Sequence, residues 1–262
     1  MYLQVPARIA HSADVCFDLQ FEGMSNEVFN GVSLKAGTIS ASIRSFSLLY
    51  PSTADKTSET LPYVTMDDFE VFAKSARITT GASLITYTPS IDGQMNRFRP
   101  LWEQYAVENQ DWIQRGHELD SSHKHSELDV YAPIFEDIWR FDVNRTIESD
   151  PGPRPSSPIW QMSPPPMNTS IVNFNLLSDY GFSEMIGYAR ETGEAVLSAP
   201  LDVANLTGLP SADGPQSVLV QPVFAGVEST SSSIVGNILA VVPWTTFFSS
   251  VSTASNRAGV GV

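Results

Sequence analysis

The stretch QSVLVQPVFAGVESTSSSIVGNILAVVPW, residues 216–244, holds two apolar runs parted by a Gly/Ser-rich segment. Both runs, 216–226 and 233–244, are rich in Val, Ile and Leu and end in Gly, Pro or Ser, which is the signature of strands. The segment 226–233 is short enough to fold one run back on the other, so the pair reads as an antiparallel hairpin. A sheet that starts this way needs a cover, and the cover has to come from upstream.

Upstream the elements alternate. DYGFSEMIGYARETG, residues 179–193, reads as a helix stopped by Gly193. EAVLSAP (194–200), GASLITYTPSI (81–91) and PIFEDIWRF (133–141) read as further strands. Residues 95–115 read as a helix with Phe98, Trp102, Tyr105, Asn109 and Trp112 on one face, and with Pro100 in its first turn. A shorter helix follows Thr65, taken as its N-cap, with Phe69, Phe72, Ala73 and Ala76 on its apolar side. Residues 116–130 are polar and read as loop. The Pro/Ser-rich stretch 149–169 contains PIWQMSPPP (158–166), whose three prolines impose a stiff extended path that Trp160 staples to the body.

The N-terminal segment behaves differently. Phe17, Phe21, Met24, Val28, Val32, Ala36, Ile39, Ile43, Phe46 and Tyr50 recur at steps of three and four, one face of a helix over 17–50. So long and narrow a stripe fits a stalk or a coiled-coil seam. Gly23, Gly31 and Gly37 each weaken a helix by about 1 kcal/mol relative to Ala, which fits an ordinary helix packed on its own domain. A polar spacer, 51–62, is expected to end it. The sum is an α+β fold, an antiparallel sheet covered by helices and preceded by a long N-terminal stalk helix.

Composition narrows the function. The 262 residues carry a net charge of −14, yet only 17% are charged and 42% are hydrophobic, so the chain is globular rather than an acidic tail. That charge opposes nucleic acid and anionic membranes, and favours an amine, a cation or a neutral small molecule. Cys16 is the only cysteine, which excludes an intrachain disulfide and a thiolate metal cluster. The most apolar window, 234–248, is too short to span a bilayer and is interrupted by Asn237 and Pro243. No signal peptide is evident at the start, and the chain alone is expected to be soluble. Sequons at Asn144, Asn168 and Asn205 are few enough to be chance.

Chemistry is hard to find. His117, His123 and His125 lie among Glu118, Asp120, Glu127 and Asp129, but their spacing matches no metal motif and Lys124 interrupts them. No metal site and no cofactor are expected. There is no nucleophile elbow, P-loop or dinucleotide fingerprint. Aromatic residues are concentrated instead: Trp102, Tyr105, Trp112, Tyr131, Trp139 and Trp160. They suit either a core or the lining of a small-molecule pocket.

Four motifs in order carry a resemblance: LPYVTMDDFE (61–70), YTPSIDGQMNRFRPLWEQYAVENQDWI (87–113), PIWQMSPPP (158–166) and GNILAVVPWTTFF (236–248). Together they resemble the extracellular, CHASE- and PAS-like sensor region of receptor-type guanylate cyclases of diatoms and related microalgae. The resemblance covers roughly residues 15–248. It implies a module on the extracellular face of a membrane, held between transmembrane helices, with a cyclase domain beyond; neither those helices nor that domain is in this sequence, so no enzyme activity is expected of it. It implies a stalk and linker over 1–60 and a sensor domain over 61–250; residues 251–262, with no core residues in pattern, read as a frayed tail. It also implies a mostly apolar ligand pocket between the sheet and a covering helix, 95–115. The residues pointed to are Thr86, Tyr87, Trp102, Tyr105 and Gln221, with only one of Thr86 and Tyr87 facing inward. The partners expected are an unidentified small molecule and a second copy through the 17–50 helix. Two rivals stand beside this: an interaction or dimerisation module without ligand, and a small hydrolase.

Overall fold

The computed structural model describes residues 7–57, 59–91, 98–120, 134–152, 154–201, 214–226 and 233–248. His123, His125, Glu127, Asp129, Tyr131, Asn205 and the 251–262 tail lie outside the described residues, as do the side chains of Cys16, Phe17, Phe21 and Met24. The chain divides into two compact units, residues 1–38 with 245–262, and residues 39–244.

The N-terminal stripe is helical throughout as α1, Ala7–Ser47. In the first unit α1 exposes Phe29 and Leu34. In the second unit its last turns bury Ile39, Ile43 and Phe46. The helix does not run unbroken to Tyr50: a turn at Leu48 separates it from α2, Leu49–Thr57. The expected spacer is therefore half helix. Pro51 sits in the first turn of α2, where its missing N–H has no helical partner to lose. No helix of the described residues is long and apolar enough to cross a membrane.

The second unit is built on a five-stranded antiparallel sheet. Its strands are β1 (Leu84–Pro89), β4 (Met162–Ser163), β5 (Val196–Leu197), β6 (Gln216–Phe224) and β7 (Ile234–Pro243). They run in the order β4-β1-β7-β6-β5. The hairpin of the opening stretch is the pair β6–β7, which holds register from Gln216↔Pro243 to Val223↔Gly236 and then bulges. Every residue of β1 and nearly every residue of β6 is buried. Both faces are thus covered, more than the one-sided cover the sequence suggested. The runs VLV (218–220) and ILAVV (238–242) are continuously apolar rather than alternating, which is what burial on two faces requires.

The helices depart from the sequence reading in three places. Thr65 does not cap its helix: α3 is Phe69–Thr80, entered from Asp68, and Thr65 bonds to Tyr105 and Trp160 instead. The 95–115 helix is two, α4 (Phe98–Glu108) and α5 (Trp112–Leu119). The break follows Asn109, whose backbone N–H still makes the helical bond to Tyr105 O while its side-chain amide donates to the same oxygen. α5 also takes in residues 116–119, which had read as loop. The strand expected over 133–141 shrinks to β2, Trp139–Phe141, paired with β3, Ile147–Ser149, in a separate two-stranded ribbon. Arg99 and Glu103 on α4 fix the entry to that ribbon by bonding Ile138 O and Ile138 N. The last helix, α6, is Tyr180–Thr192, with Asp179 capping its N-terminus and Gly193 in the left-handed conformation at its end.

The Pro/Ser-rich stretch is not a surface loop. Residues 156–163 are buried and run beside β1 as an irregular edge. Trp160 N donates to Tyr87 O, Tyr87 N to Gln161 O, and Ile91 and Ser156 exchange backbone bonds. The prolines that follow dock on α5. Pro165 Cβ lies where a side chain at Gly116 would stand, 3.1 Å from its ideal Cβ, and His117 Nε2 donates to Pro166 O at 3.2 Å.

Gln161 binds three parts of this unit together. Its Oε1 accepts from Tyr50 OH on α2 and from Met66 N, and its Nε2 donates to Met66 O, each at 2.9 Å. Gln161→Leu leaves those three buried groups without partners, at about 1–3 kcal/mol each. Urea unfolding should show a loss of at least about 3 kcal/mol; a loss below about 1 kcal/mol would overturn the assignment.

Glu70 is a buried carboxylate on α3. Its Oε2 has no hydrogen-bond partner among the described residues, and its Oε1 lies 3.5 Å from Arg77 Nη2. Burial raises its pKa from the ordinary 4.5, against the opposing pull of Ser163 and Arg77. The folded state then holds this proton more tightly than the unfolded state, so the stability it contributes is full below pH 4.5 and declines as pH rises through the raised value. Glu70→Gln should abolish that decline. Urea midpoints taken from pH 4 to 7 should show the parent losing stability relative to the variant; parallel curves would contradict it.

Candidate functional site

The register settles which of the expected pocket residues share a face. Tyr87 pairs with Ile238, and Ile238 with Gln221, so these three stand in one row on one face. Thr86 lies in the next row, with Leu239 and Val220, on the opposite face, and its hydroxyl donates to Gln161 O at 2.9 Å. Over Tyr87 lies Tyr50 of α2, stacked at 3.7 Å between ring centroids, rather than a residue of α4 or α5. On its other side the Tyr87 ring rests on Gly236: a Cβ there would come within 2.7 Å of the ring and 2.8 Å of Thr88 O. Burial raises the pKa of both phenols, and the Tyr87 hydroxyl has no partner among the described residues.

Trp102 and Tyr105 come together elsewhere, in a cluster with Tyr63, Trp112 and Trp160. Trp160 packs edge-on against both Trp102 and Trp112, at 5.3 and 5.7 Å. Trp102 Nε1 donates to Asn173 Oδ1 at 3.2 Å, and Asn173 holds that position with a φ of 67°, which an asparagine tolerates. At the cluster's edge Thr65 Oγ1 accepts from Trp160 Nε1 and bonds the Tyr105 hydroxyl at 2.8 Å. Burial raises the Tyr105 pKa, and Glu59 and Asp67 add to that. Trp102 and Trp160 are fully buried, so the cluster's centre is packed.

An open groove lies on the remaining side. It encloses about 780 Å³, within the range of small-molecule sites, and its lining comes wholly from the second unit. Ser40 and Arg44 of α1 form one wall. The end of α6 and the turn into β5, residues 190–195, form the other. Gln221, Phe224, Ser233 and Ile234 of the hairpin complete it. Of the five residues expected from the sequence, only Gln221 lines it. The lining is largely polar, against the mostly apolar cavity expected. Gly193, whose φ of 72° ends α6, turns the chain so that Phe224 packs 3.6 Å from its ideal Cβ.

Among the described residues no three His, Cys, Asp or Glu side chains gather as a metal site. His117 is buried against the prolines, and Asp120 pairs with Lys74 at 2.9 Å. Gln221 was named as an inward-facing residue through the resemblance, and Arg44 and the 190–195 turn were not named. The Gly193 stop was the available signal, since a helix must end somewhere and its end here faces the sheet edge.

Trp102→Ala tests whether the cluster is core. A packed Trp truncated to Ala costs roughly 3–5 kcal/mol, and thermal or urea unfolding should show that loss with or without added ligand. A variant of near-parent stability would mark Trp102 as a pocket wall instead.

With this geometry in hand, comparison with known proteins is informative at the family level. No curated protein matches the chain. Among solved structures it is similar to a "Methyl-accepting Chemotaxis protein X", at 12% identity and a TM-score of 0.40, over 91% of this chain and 67% of that one. The CHASE domain family matches residues 62–261, well over half of the sequence. CHASE domains are extracellular sensor domains and not catalytic ones. The chain belongs to the CHASE domain family.

Proposed function

We propose that this chain is the ligand-sensing module of a membrane receptor, with the groove beside Gln221 as its sensing site. The observation that carries the reading is the groove's construction. One wall belongs to α1, and the opposite side belongs to the sheet and to the α6–β5 turn. A ligand touching both sides favours whichever arrangement of α1 and sheet it fits best, and a difference in affinity between two arrangements is all that a population shift requires. The family match supports the sensing role independently of the groove.

We further propose that the output is nucleotide cyclisation, as in the receptor-type guanylate cyclases that the four sequence motifs resemble. In that reading residues 1–60 serve as stalk and linker, residues 61–250 as sensor, and the cyclase lies outside this sequence.

The test joins binding to α1. A small-molecule library is screened by thermal shift; a ligand present at a hundred times its Kd stabilises the fold by about 2.7 kcal/mol. Hydrogen exchange with the best hit should then show slowed exchange at backbone amides 39–47 and 190–195 together. Protection confined to residues far from both segments would remove the groove from consideration. The finer proposal is tested in the whole receptor: the same hit should change cGMP output, and a receptor with no cyclase activity would overturn it.

A further inference from the structure

Of the three Asn-x-Ser/Thr motifs in the chain, two lie among the described residues, and the fold treats them differently. Asn144-Arg145-Thr146 forms the tip of the β2–β3 ribbon. Asp142 N donates to Thr146 O and Arg145 N donates to Asp142 O, the two backbone bonds of a three-residue hairpin loop. Arg145 closes that loop with a φ of 60°. The Asp142 carboxylate accepts from Asn144 N and Thr146 N, at 2.8 and 2.7 Å, so one side chain holds the turn.

The motif's own side chains are left uncommitted. Residues 143–147 are all exposed, Val143 at 99%. Among the described residues the Asn144 amide and the Thr146 hydroxyl form no hydrogen bond. Asn168 differs. Its Oδ1 caps a short 3₁₀ turn by accepting from Ser170 N, Thr169 beside it is buried, and Ser170, the motif's hydroxyl, is half-buried. A group attached at Asn168 has a cap to preserve, whereas one attached at Asn144 displaces nothing.

The ribbon's surroundings point the same way. Trp139 of β2 bridges Phe174 on one side, while β3 is the open border: among the described residues its outer edge pairs with nothing. Val143 and Ile147 are exposed apolar side chains beside that edge. A free edge next to exposed apolar groups invites association, and a large hydrated group at the tip stands in its way.

Resting on the reading of this chain as the extracellular module of a receptor of the microalgal kind, we propose that Asn144 carries an N-linked glycan. Asn144 Nδ2 attacks the anomeric carbon of a polyprenyl-pyrophosphate-linked oligosaccharide. The N–C1 bond forms and the C1–O bond to pyrophosphate breaks. The lipid pyrophosphate leaves with the bonding pair, and one amide proton passes to solvent. Thr146 supplies the hydroxyl that the motif requires two residues on. The sugar joins a chain that has not yet folded, so what the fold has to provide is room, and the tip provides it.

The full chain is secreted from eukaryotic cells behind a cleavable leader and digested with peptide-N-glycosidase in heavy-oxygen water. Mass spectrometry then finds the heavy label at each asparagine that bore a sugar. Label should appear at residue 144 in more than half of the molecules. Asn144→Gln and Thr146→Ala should remove it, and Thr146→Ser should retain it. Made without the sugar, Asn144→Gln should keep the parent's urea midpoint; a lowered midpoint would show the amide engaged in the fold and overturn the assignment. An unlabelled Asn144 on the secreted chain overturns the proposal and leaves the extracellular reading standing. The same digest is then run on the whole receptor from its own cells, where label at 144 is expected. Label there at other motifs alone overturns only the proposal. Label on the secreted chain but nowhere on the receptor overturns the proposal and the extracellular reading together.

Discussion

The side chain of Gln161 is the constraint on which the second unit's arrangement turns. It offers one acceptor and one donor to a place that no water reaches, and both are used on other segments: Tyr50 of α2 and the backbone of Met66 before α3. Its own backbone carbonyl accepts from Tyr87 N and from the Thr86 hydroxyl. One residue therefore fixes α2, the approach to α3, and the edge of the sheet at once. Buried polar groups that are fully satisfied specify one packing, because any alternative leaves them unpaired. The same Tyr50 whose hydroxyl Gln161 holds also stacks on Tyr87, and Tyr87 is seated against Gly236.

This arrangement explains what the sequence could and could not disclose. α6 was legible because its signals are local: Asp179 bonds the first turn, and Gly193 takes the left-handed conformation that stops it. The β6–β7 hairpin was legible because two apolar runs and a Gly/Ser connector have few other uses. Gln161 was not. It lies in a proline-rich stretch with no period to read, and its partners are 95 and 111 positions away. Thr65 misled for the opposite reason. It looks like a cap by local rules, but Tyr105 and Trp160 offer it better partners in the folded chain. The apolar face over 98–112 gave no sign of the break between α4 and α5.

The candidate site was less legible than the fold. Alternation along LITYTP could say that Thr86 and Tyr87 face apart, and the register supplies which of them shares a face with Gln221. The aromatic residues flagged together did assemble together, but around Trp160 and in a packed centre. The groove draws on residues near 40, 190 and 230. Its longest continuous stretch, 190–195, supplies only half of the lining, and the walls face one another only in the folded chain.

The sheet's two borders, β4 and β5, are two residues long each, while the strands they flank run six and nine. An incoming extended chain needs a row of free backbone groups to template on, and a two-residue border offers almost none. The described sheet can therefore stand crowded beside copies of itself without growing sideways into a continuous ribbon. The long hydrophobic strands that give the unit its core are kept between those two short borders.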